Sequence, residues 1–205
     1  MHHEAQRRDL CEKIERWRGW SEFNEQATIL GIILPVLELA GYDTRNPEEV
    51  LSQGSDNLGN RPDLKLYKTS PLDKGNEWCV IEAKVLGALL NNYVAQVGQY
   101  LIASNALWCI LTDGYEWRFF DKNHSQNNFY RTSISLGQPG ALDALRCLLD
   151  KERDKPDFDC ASQTLIEARL REAARRRPWD NQYNLWRQEI ILVKPLRDAL
   201  EEVSR

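Results

Sequence analysis

The stretch Trp78-Cys79-Val80-Ile81-Glu82-Ala83-Lys84 decides how this chain is read. Its first four residues are apolar and bulky, the composition of a strand buried on both faces. Two ionisable residues then end the run. Side chains alternate faces along a strand, so Glu82 and Lys84 point the same way, roughly 7 Å apart by the rise per residue. Ala83 faces the other side. A carboxylate and an ammonium closing a buried run are costly unless paired, hydrated or bound to metal. The plain alternative is a surface salt bridge at a strand end, which contributes little; the apolar residues before it argue against that. The predicted strand runs from Trp78 to Val85.

Working outward, Arg61-Pro62-Asp63-Leu64-Lys65-Leu66-Tyr67 alternates and reads as a second strand, with a Pro/Asp/Gly turn over 70–76 between the two. Downstream, a helix is predicted over Ala88–Ser104 and a strand over Ala106–Thr112. Asp113-Gly114 makes a hairpin turn, Tyr115–Phe120 returns, and Phe129–Leu136 adds one more strand. Upstream, Leu10, Ile14 and Trp17 recur at helical spacing within 4–19. Asn24 is a good N-cap for a second helix reaching Ala40, with Gly41 as its stop and Pro35 as a kink. Pro47-Glu48-Glu49-Val50-Leu51 suits a short helix. From Gly140 onward the pattern is helical, over 141–151, 161–177 and 181–203. The expectation is an α/β protein: a restriction-endonuclease-like mixed sheet flanked by helices, with a C-terminal helical extension. The charged stretch Asp150–Asp159 divides it into 1–150 and 151–205.

The chain has 205 residues, 42% of them hydrophobic, enough for one domain with a real core. No apolar stretch reaches transmembrane length; Thr28–Ala40 is the strongest and contains Pro35 and Glu38. The charged N-terminus lacks the apolar core of a signal peptide. Five cysteines show no zinc spacing, and Cys79 and Cys109 fall in apolar strands as buried thiols. A cytoplasmic location is expected, with no membrane partner. The net charge of −4 argues against nonspecific coating of nucleic acid, but not against an enzyme with a local basic groove.

Two carboxylates and a lysine on adjacent strands suit phosphodiester hydrolysis. That reaction needs a nucleophilic water, charge neutralisation and help for the leaving oxygen, which metal ions supply. Asp63, Glu82 and the Ala83 carbonyl are oxygen ligands of the kind Mg²⁺ takes. Lys84 would orient or deprotonate the water and stabilise charge at the phosphate. Before metal binds, Lys84 is expected to pair with Asp63 and Glu82, keeping all three charged. It is also expected at the sheet edge, without core packing. Gln96 and Tyr100 lie four apart on one helical face and can both address the site.

These segments resemble the PD-(D/E)xK nuclease superfamily. Pro62-Asp63 matches the first half of its motif, Glu82-Ala83-Lys84 the second, and Gln96-x-x-x-Tyr100 the helix motif of RecB-type members. More narrowly, residues 20–121 resemble the N-terminal nuclease domain of type I restriction enzyme R subunits. Asn24-Glu25, Leu39-Ala40-Gly41-Tyr42-Asp43, Arg61-Pro62-Asp63, Ile81-Glu82-Ala83-Lys84 and Leu111-Thr112-Asp113-Gly114-Tyr115-Glu116-Trp117 carry the likeness. It implies a Mg²⁺- or Mn²⁺-dependent nuclease cleaving DNA in restriction or defence, with Glu25 adding an acidic group to the site. The chain has no GxxxxGK[ST] loop, so ATP-driven translocation is not carried over. A motor or methyltransferase would be a separate subunit, and a double-strand break would call for a second copy of the chain. A repair or recombination nuclease, or a non-catalytic nucleic-acid-binding module on the same fold, are the alternatives. The aromatic residues Trp108, Tyr115, Trp117, Phe119 and Phe120 read as core. His124 reads as a solvated loop residue, and Arg169, Arg171, Arg175, Arg176 and Arg177 as a solvated helix end.

Overall fold

A computed structural model describes residues 3–52, 61–68, 77–124 and 129–176. Six strands form one sheet in sequence order: β1 Val50–Ser52, β2 Leu64–Tyr67, β3 Glu77–Ala83, β4 Trp108–Thr112, β5 Glu116–Asp121 and β6 Tyr130–Ser135. The β3–β4 pair is parallel and the other four pairs are antiparallel. Parallel neighbours cannot be joined by a hairpin. The crossover is made by a 3₁₀ turn, Leu90–Tyr93, leading into helix α4, Val94–Ala103. The chain is therefore α/β with a mixed sheet flanked by helices, as expected.

Strand alternation sorts the core into two layers. On one face Leu64, Leu66, Cys79, Ile81, Ala83, Trp108, Ile110, Trp117, Phe119 and Ile134 pack against α1 (Glu4–Trp17), α3 (Leu34–Leu39) and α5 (Ala141–Leu149). On the other, Val80, Cys109, Leu111 and Phe120 pack against Val97, Tyr100 and Leu101 of α4. Ala83 thus faces the first layer, and Glu82 continues the Val80 row on the α4 side. Trp108, Trp117, Phe119 and Phe120 are buried, and Cys79 and Cys109 are buried thiols. Among the described residues no helix is long and apolar enough to cross a membrane.

Several elements differ from expectation. The helix after Asn24 is three pieces: α2 Glu25–Thr28, a π-helical turn Ile29–Ile33, and α3. Pro35 lacks the N–H that would bond back one turn. The wider π turn, closed by Leu34 N–H to the Ile29 carbonyl, takes up the mismatch upstream, and Pro35 sits in the first turn of α3. Residues 47–51 are not a helix. Asn46 Oδ1 accepts from Glu48 N–H at 3.0 Å in a turn, and Val50–Ser52 pairs with Leu64–Leu66. So short a helix cannot nucleate alone, whereas pairing with β2 satisfies its backbone and buries Val50. β2 is shorter than expected, since Asp63 bends just before it. β3 ends at Ala83 rather than Val85.

The C-terminal helices shift as well. The first is α5, ending at Leu149. The second is α6, Phe158–Arg176, beginning three residues early because Asp157 Oδ1 accepts from Cys160 N–H at 2.8 Å. Cys147 and Cys160 form a disulfide between α5 and α6, a pairing the sequence did not suggest. Ala161 joins the main core, and the Phe158 ring lies 5.7 Å from that of Trp108. The 70–76 turn and the 181–203 helix fall outside the described residues.

Candidate active site

The parallel β3–β4 pair ends where α4 begins to cover its face, and the candidate residues gather there. Continuing the Leu64–Ile81 register by one residue sets Asp63 level with Glu82 across β2 and β3. Asp63 Oδ2 accepts the Ala83 N–H at 2.7 Å, which fixes its carboxylate beside β3. Glu82 Oε1 accepts from Lys84 Nζ at 2.5 Å and from Gln96 Nε2 at 2.6 Å. Gln96 Nε2 also donates to the Tyr100 hydroxyl at 2.9 Å, as the shared helical face requires. Glu25 opens α2 under the Asn24 cap, whose side chain accepts from Ala27 N–H at 2.9 Å, and its Oε2 lies 3.6 Å from Lys84 Nζ. Asp63, Glu82, Ala83, Lys84, Gln96, Tyr100 and Glu25 are thus drawn to one place.

Two expectations about Lys84 need correction. It pairs with Glu82 and Glu25, not with Glu82 and Asp63, because Asp63 is engaged by the Ala83 amide. Nor is it an edge residue: its side chain is 11% exposed and that of Glu82 4%. Burial opposes the Lys84 charge, but the Glu82 contact and the charges of Glu82, Glu25 and Asp63 outweigh it and raise its pKa. In this metal-free state the charged ammonium form of Lys84 is favoured. Asp63 moves the other way from full ionisation. Burial and the Glu82 charge push its carboxyl up to about 6, against the Ala83 hydrogen bond, with Glu25 raising it and Lys84 lowering it further. Asp63 is therefore not held fully charged as expected. Tyr100 is held neutral, chiefly by burial.

Residues the sequence reading passed over hold this geometry. Thr28 Oγ1 accepts from Leu86 N–H at 3.2 Å, and Asp113 Oδ2 from Gly87 N–H at 2.9 Å. Together they tie the loop after Lys84 to α2 and to the β4–β5 turn. Asp113 Oδ1 also accepts from the Tyr115 and Glu116 amides. Gly114 has φ +83°, and a Cβ there would stand 3.0 Å from Ile32 Cδ1 and Thr28 Cγ2, so that turn admits only glycine without strain. The Tyr93 ring centroid lies 4.8 Å from Lys84 Nζ. The one advance signal was the Thr112-Asp113-Gly114 turn; Thr28 and Tyr93 had none. Elsewhere, Arg171 lies 3.7 Å from Glu167, both half exposed, and His124 meets Arg131 at 3.3 Å; Arg177 lies outside the described residues.

The donor set fits a small divalent cation. Glu82 Oε2 is buried with no hydrogen-bond partner, a costly state for a carboxylate oxygen and one that a cation would relieve. Among the described residues no three His, Cys, Asp or Glu side chains stand as a ready-made metal cluster. Asp63 and Glu82 would thus need a backbone oxygen such as that of Ala83, and water, to complete the shell. Mg²⁺ sites commonly keep several waters.

No family model matches the chain, and no curated protein sequence does. Among solved structures it is similar to the cryo-EM structure of the DrdV–DNA complex, with TM-score 0.49 and 17% identity, over 73% of this chain and 14% of that one. It is also similar to a fragment of an HsdR subunit of a type I restriction enzyme from Vibrio vulnificus YJ016, with TM-score 0.39 and 22% identity, over 48% of this chain and 21% of that one. The chain thus spans a small part of either protein, and at these levels the likeness says nothing about activity.

Proposed function

We propose that this protein is a metal-dependent deoxyribonuclease, hydrolysing phosphodiester bonds at Asp63, Glu82 and Lys84 in restriction or defence. The observation that carries the reading is the buried, unpartnered Glu82 Oε2 in a cluster of three carboxylates, Glu25, Asp63 and Glu82, around one ammonium. A buried carboxylate oxygen left without a partner is unfavourable unless a cation completes it. DNA as substrate rests on the motif resemblance, as does the restriction setting.

Asp63, Glu82 and the Ala83 carbonyl would hold Mg²⁺ or Mn²⁺. The bound ion would neutralise phosphate charge and acidify a water. The protein's own groups do the rest. Lys84 places its ammonium against charge developing on the phosphate. Gln96, braced by Tyr100, fixes the rotamer of Glu82. Glu25 balances Lys84 and sets the approach from α2. Nicking of supercoiled plasmid tests the reading: cleavage by wild type with Mg²⁺ or Mn²⁺, lost with chelator and in Asp63→Ala. Plasmid bound but never cut would replace the enzyme by a binding module.

A further inference from the structure

We propose that Tyr93 is a positioning residue, whose ring face holds the Lys84 ammonium in place when Glu82 turns to metal. This deepens the nuclease reading and rests on it. Lys84 has three contacts in the site: Glu82 at 2.5 Å, Glu25 at 3.6 Å and the Tyr93 ring at 4.8 Å. Of the two carboxylates, Glu82 is the one a divalent cation competes for, and Glu25 is the longer, more exposed contact. Once Glu82 is drawn to a cation, the ammonium loses its shortest contact, and a lysine on a flexible four-carbon stem has many rotamers to wander into. An aromatic face attracts a cation through its quadrupole without adding charge or offering a competing ligand. It can therefore keep hold of Lys84 in both states.

The ring is well placed for this. Tyr93 ends the 3₁₀ turn and directly precedes α4, the helix that carries Gln96 and Tyr100. It is partly buried against the Val80–Val97–Leu111 layer. The turn is anchored on both sides. Asn92 N–H bonds the Leu89 carbonyl at 3.0 Å, and Asn91 Oδ1 accepts from Arg118 Nη1 of β5 at 2.6 Å. The arrangement assigns the work to the ring face and not to the hydroxyl.

The test uses the full chain with three substitutions: Tyr93→Phe, Tyr93→Leu, and phenylalanine analogues of rising fluorine content at position 93. In metal-free protein, the Lys84 εCH₂ proton resonance, assigned with Lys84→Arg, should be shifted upfield by the ring. That shift should persist in Tyr93→Phe and vanish in Tyr93→Leu. In plasmid cleavage, Tyr93→Phe should stay within about twofold of wild type. Tyr93→Leu should lose about tenfold in kcat with KM little changed. Rate should fall stepwise with fluorine count, which drains the ring face while keeping its shape, so the proposal is tested even if Tyr93→Leu fails to fold. An unshifted Lys84 resonance in wild type, or a rate indifferent to fluorination, overturns it. A shifted resonance in wild-type protein that cleaves nothing overturns the nuclease reading and with it the catalytic role, while leaving the Tyr93–Lys84 contact established.

Discussion

A buried lysine–glutamate pair sits near each end of β3, and the two are built differently. Near the start of β3, Lys65 Nζ meets Glu77 Oε1 at 3.2 Å, with side chains 6% and 8% exposed. At its end, Lys84 meets Glu82 at 2.5 Å, equally buried. The Lys65–Glu77 pair leaves no buried side-chain atom without a partner, whereas Glu82 Oε2 is buried with none. Asp63 and Glu25 add further negative charge around Lys84. A buried ion pair is therefore not in itself a sign of a site. What distinguishes the Lys84 end is carboxylate left over after the lysine has been counted.

Exchanging the two lysines should separate the pairs most sharply. Lys84→Met should cut plasmid cleavage by about 10²–10³-fold, the scale of a lost charge-stabilising group. Lys65→Met should leave the rate of the folded protein within about twofold. Equal losses in the two variants would dissolve the distinction. Lys65→Met strands Glu77 in the sheet and should cost about 3–5 kcal/mol in urea unfolding, most of it recovered in Lys65→Met/Glu77→Leu. A double variant no more stable than the single would mean that Glu77 is not the stranded charge.

Away from both pairs, the Cys147–Cys160 link closes a short loop, 13 residues apart in sequence, between α5 and α6. Reduction should lower stability by about 3 kcal/mol on the chain-entropy scale, with cleavage by the still-folded protein unchanged. A loss of cleavage without unfolding would join that helix pair to the site. Within the site, Gln96→Ala should reduce kcat about tenfold, since it removes a hydrogen bond to Glu82 but no charge. A loss as large as that of Lys84→Met would make Gln96 more than a brace.

The smallest effect is on pH. The Asp63 carboxyl is raised by burial and by Glu82 to about 6 from an ordinary 3.8. In the metal-free protein the folded state therefore holds this proton more tightly than the unfolded chain does. Its contribution to stability is fully present below the unfolded value and is lost as pH rises through about 6. Stability should fall across that window, and Asp63→Asn should flatten the fall. Metal binding should run the opposite way, weakening as pH drops below about 6 because the proton competes for Asp63. Calorimetric Mn²⁺ titrations at three pH values would expose an affinity that ignores pH, and so a site that does not use Asp63.

Much of the fold could be read in advance because its signals are local. Continuous apolar runs at 78–81 and 108–111, the helical spacing of Leu10 and Ile14, and the Asp113-Gly114 turn each depend on residues close in sequence. That Glu82 and Lys84 share a strand face, and Gln96 and Tyr100 a helix face, was readable for the same reason; that these groups and Asp63 meet at one site was implied by the motif resemblance. Tertiary contact decided the rest. Val50 and Leu51, expected in a short helix over 47–51, joined edge strand β1 because β2 offered hydrogen bonds that no local turn could match. Cys147 met Cys160 because α6 folds back on α5. Lys84 took Glu25 in place of Asp63 because α2, anchored through Thr28, lies over the end of β3. Propensity and periodicity act over a few residues, so the sequence by itself determined which elements form and which faces they bury. Which charges finally touch depends on how distant segments pack, and only the tertiary structure settles that.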